Sequence, residues 1–198
     1  MEDHIRVEDN LVDLLVMDLE CKEDNTDLLV VWVVNLKEQR DFNMKLSNNF
    51  TLAELTKSQT AIRKNIRNEP GTADINNLIH LAETILQPVR EHFGKPVMIS
   101  SGYRSPELCE AIGSSTKSQH ARGEAADFEI HSVDNKELAA WIAANCEFDQ
   151  LILEFYDGVD PNSGWIHCSV KREPETPRKQ VLQAKKIEGR TSYETIIL

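Results

Sequence analysis

Three side chains in this 198-residue chain have the types and spacing to hold a metal ion: His120, Asp127 and His167. The first two stand in Ser118-Gln-His-Ala-Arg-Gly-Glu-Ala-Ala-Asp127, separated by six residues that include one glycine. An imidazole and a carboxylate suit a borderline ion such as zinc, but two protein ligands are too few to retain it. His167 is the candidate third ligand. It lies in Gly164-Trp-Ile-His-Cys-Ser-Val170, a short apolar and β-branched run that reads as a strand able to aim one side chain at a site. Three ligands with an open fourth position describe a catalytic zinc site rather than a closed structural one, with one Zn2+ per chain.

Strand alternation says which neighbours those ligands must have, because side chains two apart share a face. On a strand from Ala125 to Ile130, Asp127 shares its face with Ala125 and Glu129, while Ala126, Phe128 and Ile130 turn to the core. On Gln150 to Phe155, Glu154 points with Gln150 and Ile152, opposite Leu151, Leu153 and Phe155. On Trp165 to Val170, His167 points with Trp165 and Ser169. One sheet can then present Asp127, Glu154 and His167 to a single cleft. His120 enters from the preceding loop, where Gly123 permits the turn. Cys168, next to His167, faces the other way and cannot form a thiol–imidazole dyad.

The rest of the chain supplies a frame. Thr51 with Glu54 three places on is a capping box for a short helix. Asp74 caps a long helix with apolar residues at three- and four-residue spacing from Ile75 to Val89; Pro88 bends it and Gly94 ends it. Pro96-Val-Met-Ile-Ser100 reads as a buried strand leading into the turn Ser101-Gly-Tyr-Arg-Ser-Pro106. Helices follow at Pro106 to about Ile112 and at about Asn135 to Asn145. Gln180 to Ile187 adds a further strand. Helices first and hairpin-like strands afterwards indicate an α+β fold rather than a parallel βαβ wheel.

Composition narrows the classes further. Hydrophobic residues make up 40% and charged residues 28%, as in globular proteins, and the most apolar run, Leu28 to Val34, is too short to span a membrane. The net charge is −11; residues 1 to 27 hold ten acidic and two basic side chains, leaving −3 for the rest. No basic stripe exists to replace counterions along a phosphate backbone, which disfavours nucleic acid as a partner. Cys21, Cys109, Cys146 and Cys168 are scattered without a CxxC pair and read as reduced thiols. The acidic start lacks a secretory signal, so synthesis in a cytoplasm is expected. Residues 1–43 are an acidic extension, either an accessory segment pairing with the main sheet or a translated leader ahead of a natural start at Met44. Residues 44–198 form the main domain.

From about Phe50 to Lys186 the chain resembles the zinc D-alanyl-D-alanine carboxypeptidases of bacterial walls and phage lysins, which share a fold with the Hedgehog signalling domain. The resemblance rests on Ser101-Gly-Tyr-Arg-Ser-Pro106, on Ser-x-His-x-x-Gly-x-Ala-x-Asp at 118–127, and on Trp165-Ile-His167. It implies a mostly antiparallel sheet with helices on one face and a zinc cleft on the other. It places the metal ligands on His120, Asp127 and His167, the catalytic base on Glu154 and a substrate-binding arginine on Arg104. Ser118 either contacts substrate or caps its own loop. Several members carry the base a few residues before the last ligand, where this chain has Asn162, Ser163 and Gly164, so Asp157 and Asp160 are alternatives to Glu154. The implied partner is a peptidoglycan stem peptide cleaved next to D-alanine, on the cell wall after lysis-assisted release or as part of a virion. The alternatives are a zinc-stabilised binding module without turnover and a phage structural component of the same fold.

Overall fold

The computed structural model describes residues 44–172 and 174–198. The extension 1–43, with the expected strand at 28–34, lies outside the described residues. Among them, the first elements are α1 (Leu52–Thr56), α2 (Gln59–Lys64), α3 (Thr72–Leu81), a π-helical turn (Ala82–Leu86) and α4 (Gln87–Phe93). Then come β1 (Met98–Ser101), α5 (Pro106–Ala111), a 3-10 turn (Gln119–Arg122), β2 (Ala125–Glu129), α6 (Asn135–Asn145), β3 (Gln150–Glu154), β4 (Trp165–Ser169), β5 (Gln180–Ile187) and β6 (Arg190–Thr195). No helix among the described residues is long and apolar enough to cross a membrane.

Local chemistry accounts for most of these boundaries. Thr51 and Glu54 form the capping box that starts α1, the Glu54 carboxylate accepting from the Thr51 N–H at 2.8 Å. Ser58 and Ser105 cap α2 and α5, and Asp134 caps α6. The long helix begins three residues earlier than its sequence suggests. Gly71 is its cap, and Asp74 acts from the first turn by accepting the Gly71 N–H at 3.2 Å. Pro88 has no N–H to give the turn before it and its ring crowds the carbonyl of residue 84. The helix accommodates this with one wide turn, in which the Gln87 N–H reaches back to the Ala82 carbonyl.

The sheet has six strands in the order β1-β2-β4-β3-β5-β6. Every neighbouring pair is antiparallel except β3 with β5, which run parallel. A parallel pair needs a crossover; here β4 and the segment after it supply the return. β1 is an edge strand with Met98 exposed, not the buried strand its apolar run suggests. β6 and α2 have no counterpart in the sequence reading. The β5–β6 hairpin turns at Glu188-Gly189, both at positive φ (50° and 78°), as a two-residue primed turn requires.

One face of the sheet is apolar and packs on the helices. Ala126 and Phe128 of β2, Leu151 and Leu153 of β3, and Ile166 and Cys168 of β4 are all buried there. They meet Leu78, Leu81, Ile85 and Val89 of the long helix, and Leu138 and Ile142 of α6. The opposite face of the same three strands carries the polar residues, so burying one face leaves the other to form the site.

Candidate metal centre

Asp127, His167 and Ile152 lie side by side across β2, β4 and β3, since Asp127 pairs with His167 and His167 with Ile152. His120 comes from the 3-10 turn above them. Ser118 caps that turn by accepting the His120 N–H at 3.3 Å, and Gly123 closes it at φ +68°. A Cβ on Gly123 would sit 2.4 Å from the Asp74 carbonyl oxygen, so the close approach of α3, as well as the backbone angle, demands glycine. Asn77 of α3 anchors the far end by donating to the Arg122 carbonyl at 2.8 Å.

The three expected ligands converge. Asp127 Oδ1 is 2.8 Å from His167 Nδ1 and 3.3 Å from His120 Nε2, and the two ring nitrogens are 3.2 Å apart. Tetrahedral zinc with bonds of about 2.0–2.1 Å separates its ligand atoms by roughly 3.4 Å, so the donor set fits such an ion. His120 and His167 are buried, and Asp127 is nearly so. His120 also orients outward from the centre, its Nδ1 2.7 Å from the Gly102 carbonyl oxygen, so that Nδ1–H donates and Nε2 is left for the ion. Burial lowers the His120 pKa, despite the opposing pull of Asp127. Burial alone would raise the Asp127 pKa; the charges and hydrogen bonds of His120 and His167 outweigh it and hold the carboxyl well below the usual range. A neutral imidazole and an ionised carboxylate are the forms that bind metal.

The cleft around this group is about 1210 Å³. Glu154 lines it from the end of β3, outside the metal group, and its pKa is raised by burial and by Asp127, against the pull of His167 and Lys186. Asp157 and Asp160 do not line it. Asp157 Oδ1 accepts from the N–H groups of Val159 and Asp160 and from Ser163 Oγ, and Asp160 accepts from Asn162, so both carboxylates serve their own loop. Arg104 reaches the cleft from the β1–α5 turn with Nη2 3.8 Å from Asp127 Oδ2, while its Nε is buried with no partner. Ser118 lines the cleft and caps the 3-10 turn.

The sequence match of the Peptidase M15 family covers residues 48–169. The chain belongs to the peptidase M15 family. That family is zinc-dependent, and the matched span contains all three residues that can hold the ion. No curated protein sequence matches the chain.

Several cleft residues escape the sequence reading. Phe155, expected on the core face, lies on the cleft side: β3 ends at Glu154, and at Phe155 the backbone turns to φ +54°. Its ring packs on Ile152, the apolar neighbour of His167, and meets Trp165 edge-on at 5.3 Å. Trp165 lines the cleft on the face that its alternation with His167 predicts. Lys186 of β5 stands over the Phe155 ring, its Nζ 5.3 Å from the centroid, and Tyr193 of β6 lines the far wall. Gln119, hidden at a variable place of the 118–127 pattern, touches His167 directly, with Oε1 3.3 Å from Nε2. The Glu-Gly turn at 188–189 is a signal that would have located β6 and hence Tyr193.

The other histidines among the described residues stay away from the centre. His80 bonds the Lys171 carbonyl, His92 stacks on Trp141 at 4.4 Å, and His131 is exposed beyond the end of β2. Cys109, Cys146 and Cys168 are free and buried, and burial raises each thiol pKa, that of Cys146 to about 11. A thiolate nucleophile is excluded at these positions.

Proposed function

We propose that the chain is a zinc peptidase that hydrolyses peptidoglycan stem peptides next to D-alanine, with one Zn2+ per chain held by His120, Asp127 and His167. The single observation that carries this reading is the convergence of those three ligands beside Glu154, a carboxylate whose pKa is raised by burial. Bound there, zinc polarises the scissile carbonyl and lowers the pKa of an attacking water toward neutrality.

The chain's own residues do the rest. A Glu154 carboxylate with a raised pKa is suited to take a proton from the nucleophilic water and return it to the leaving amine. Arg104 holds a substrate carboxylate: its planar fork can grip two oxygens, and its Nε is unpaired in the structure. Ser118 stands beside the same path. The floor of Ile152, Leu182, Ala184 and Phe155 suits a small apolar side chain such as that of alanine. The rim favours an anionic peptide, since Arg104, Lys117, Lys171 and Lys186 line a cleft in a chain of net charge −11. Such a domain, residues 44–198 in the Hedgehog/D-Ala-D-Ala-peptidase arrangement, would act on the wall after lysis-assisted release or from a virion, with 1–43 as an appendage.

The test is incubation of the pure protein with purified peptidoglycan, with and without chelator, followed by mass spectrometry of new termini. Chelator-sensitive release at D-alanine is expected. Zinc binding without any new terminus overturns the peptidase reading in favour of a binding module.

A further inference from the structure

We propose that Gln119 is a positioning residue for the metal centre, the last link of a hydrogen-bond relay Arg178–Asp149–Gln119–His167 that fixes the His167 ring with Nδ1 toward the ion and Nε2 held outside it. The inference rests on the reading of His120, Asp127 and His167 as zinc ligands.

Asp149 is fully buried immediately before β3. Its carboxylate accepts from Arg178 Nη2 at 2.6 Å, from Arg178 Nε at 3.0 and 3.1 Å, and from the Arg178 backbone N–H at 2.9 Å. An ionised carboxylate only accepts, so any amide facing it must present its NH2. Gln119 does so: Nε2 lies 3.0 Å from Asp149 Oδ2 and 2.8 Å from Ser169 Oγ. The amide orientation is thereby set, and Gln119 Oε1 turns to His167 Nε2 at 3.3 Å. An amide oxygen cannot donate, so the contact is a hydrogen bond with Nε2 as donor, the form the ring takes when Nδ1 holds an ion. The lone pair of the neutral ring is then on Nδ1, the nitrogen that faces Asp127 and His120.

Gln119 holds the outer nitrogen and so keeps Nδ1 aimed at Asp127 Oδ1 and His120 Nε2, 2.8 and 3.2 Å away. The relay also extends the site beyond residue 169, where the family match ends, because Arg178 belongs to the segment leading into β5.

Two measurements test this: zinc affinity by competition with a chelating dye, and the 15N shift of His167 Nε2 in the zinc-loaded protein. Gln119→Leu should shift the Nε2 resonance through loss of its hydrogen bond and weaken zinc binding roughly 10–100-fold. Arg178→Lys keeps the charge but loses the fork, and should shift both readouts in the same direction by less. Gln119→Glu combined with Asp149→Asn exchanges donor and acceptor along the relay. The new carboxylate accepts from the new amide and from His167 Nε2, so affinity should return to within a few-fold of the parent. An unchanged Nε2 shift and affinity in Gln119→Leu would overturn the relay alone. If that variant does not fold, Arg178→Lys decides by the same two readouts, because its side chain is half-exposed. A parent that binds no zinc overturns the proposed function and the relay with it.

Discussion

Glu154 and His167 face one cleft from adjacent antiparallel strands, a single diagonal step apart: His167 pairs with Ile152, and Glu154 pairs with Trp165. Diagonal neighbours on one face of a sheet are roughly 7–8 Å apart, within reach of a long side chain but too far for Glu154 to crowd the ligand set. The strand register therefore offers a carboxylate beside the metal centre without adding it to the ligands.

Glu154→Gln tests the role that this register suggests. It preserves size and most hydrogen bonding but removes the proton acceptor, so zinc content and Tm should hardly change. Turnover of stem peptides should fall roughly 100-fold or more. The same change at Asp157 or Asp160 should do less, because both carboxylates are engaged within their loop. Full activity in Glu154→Gln, with loss at either loop position, would show that the wrong carboxylate was chosen.

Arg104→Lys keeps a cation near Asp127 and loses the planar fork. The expected result is a raised KM for substrates with a free carboxylate, with Tm and zinc content near those of the parent. An equal loss of thermal stability in metal-free protein would mark Arg104 as structural.

Gly164 sets the position of the strand end that carries Glu154. Its φ is +68°, and a Cβ there would lie 1.8 Å from the Glu154 carbonyl oxygen. Gly164→Ala should therefore push the end of β3 aside, costing roughly 1–3 kcal/mol in backbone strain and lowering turnover. Gly158, in the same loop at φ +80° but with open space around it, is the control. Its alanine variant should be strained yet keep its turnover, and equal kinetic losses at both positions would refute the argument.

Acid titration probes the buried end of the relay. Burial would raise the Asp149 pKa, but its hydrogen bonds from Arg178 hold it below the ordinary value. A depressed folded pKa contributes stability that is fully present above the unfolded value of about 3.9 and is lost as pH falls through the folded value. Urea unfolding of metal-free parent and Asp149→Asn should show a stability gap that is constant from pH 7 to about 5 and narrows below about 4. A gap that persists unchanged at pH 2 would exclude the ion pair as its source.

By itself the sequence determined which three side chains converge as a group able to hold a metal, the apolar faces of three strands and the Thr51–Glu54 capping box. Each is a local property: the His–Asp spacing sits within one turn and strand, alternation has a strict period of two, and a capping box spans four residues. Tertiary structure alone decided what those elements meet. Parallel pairing of β5 with β3 brings Leu182 and Lys186 to the cleft and leads Arg178 to Asp149, contacts between residues 29 or more apart in the chain. The exposure of β1 follows from its place at the sheet edge rather than from its apolar composition. Phe155 turned to the cleft because its strand stops one residue before it, and a single left-handed residue cancels the alternation on which the reading depended. Gln119 gained its role only when β4 placed His167 and Ser169 beneath it, since a side-chain amide has no preferred partner until the fold supplies one.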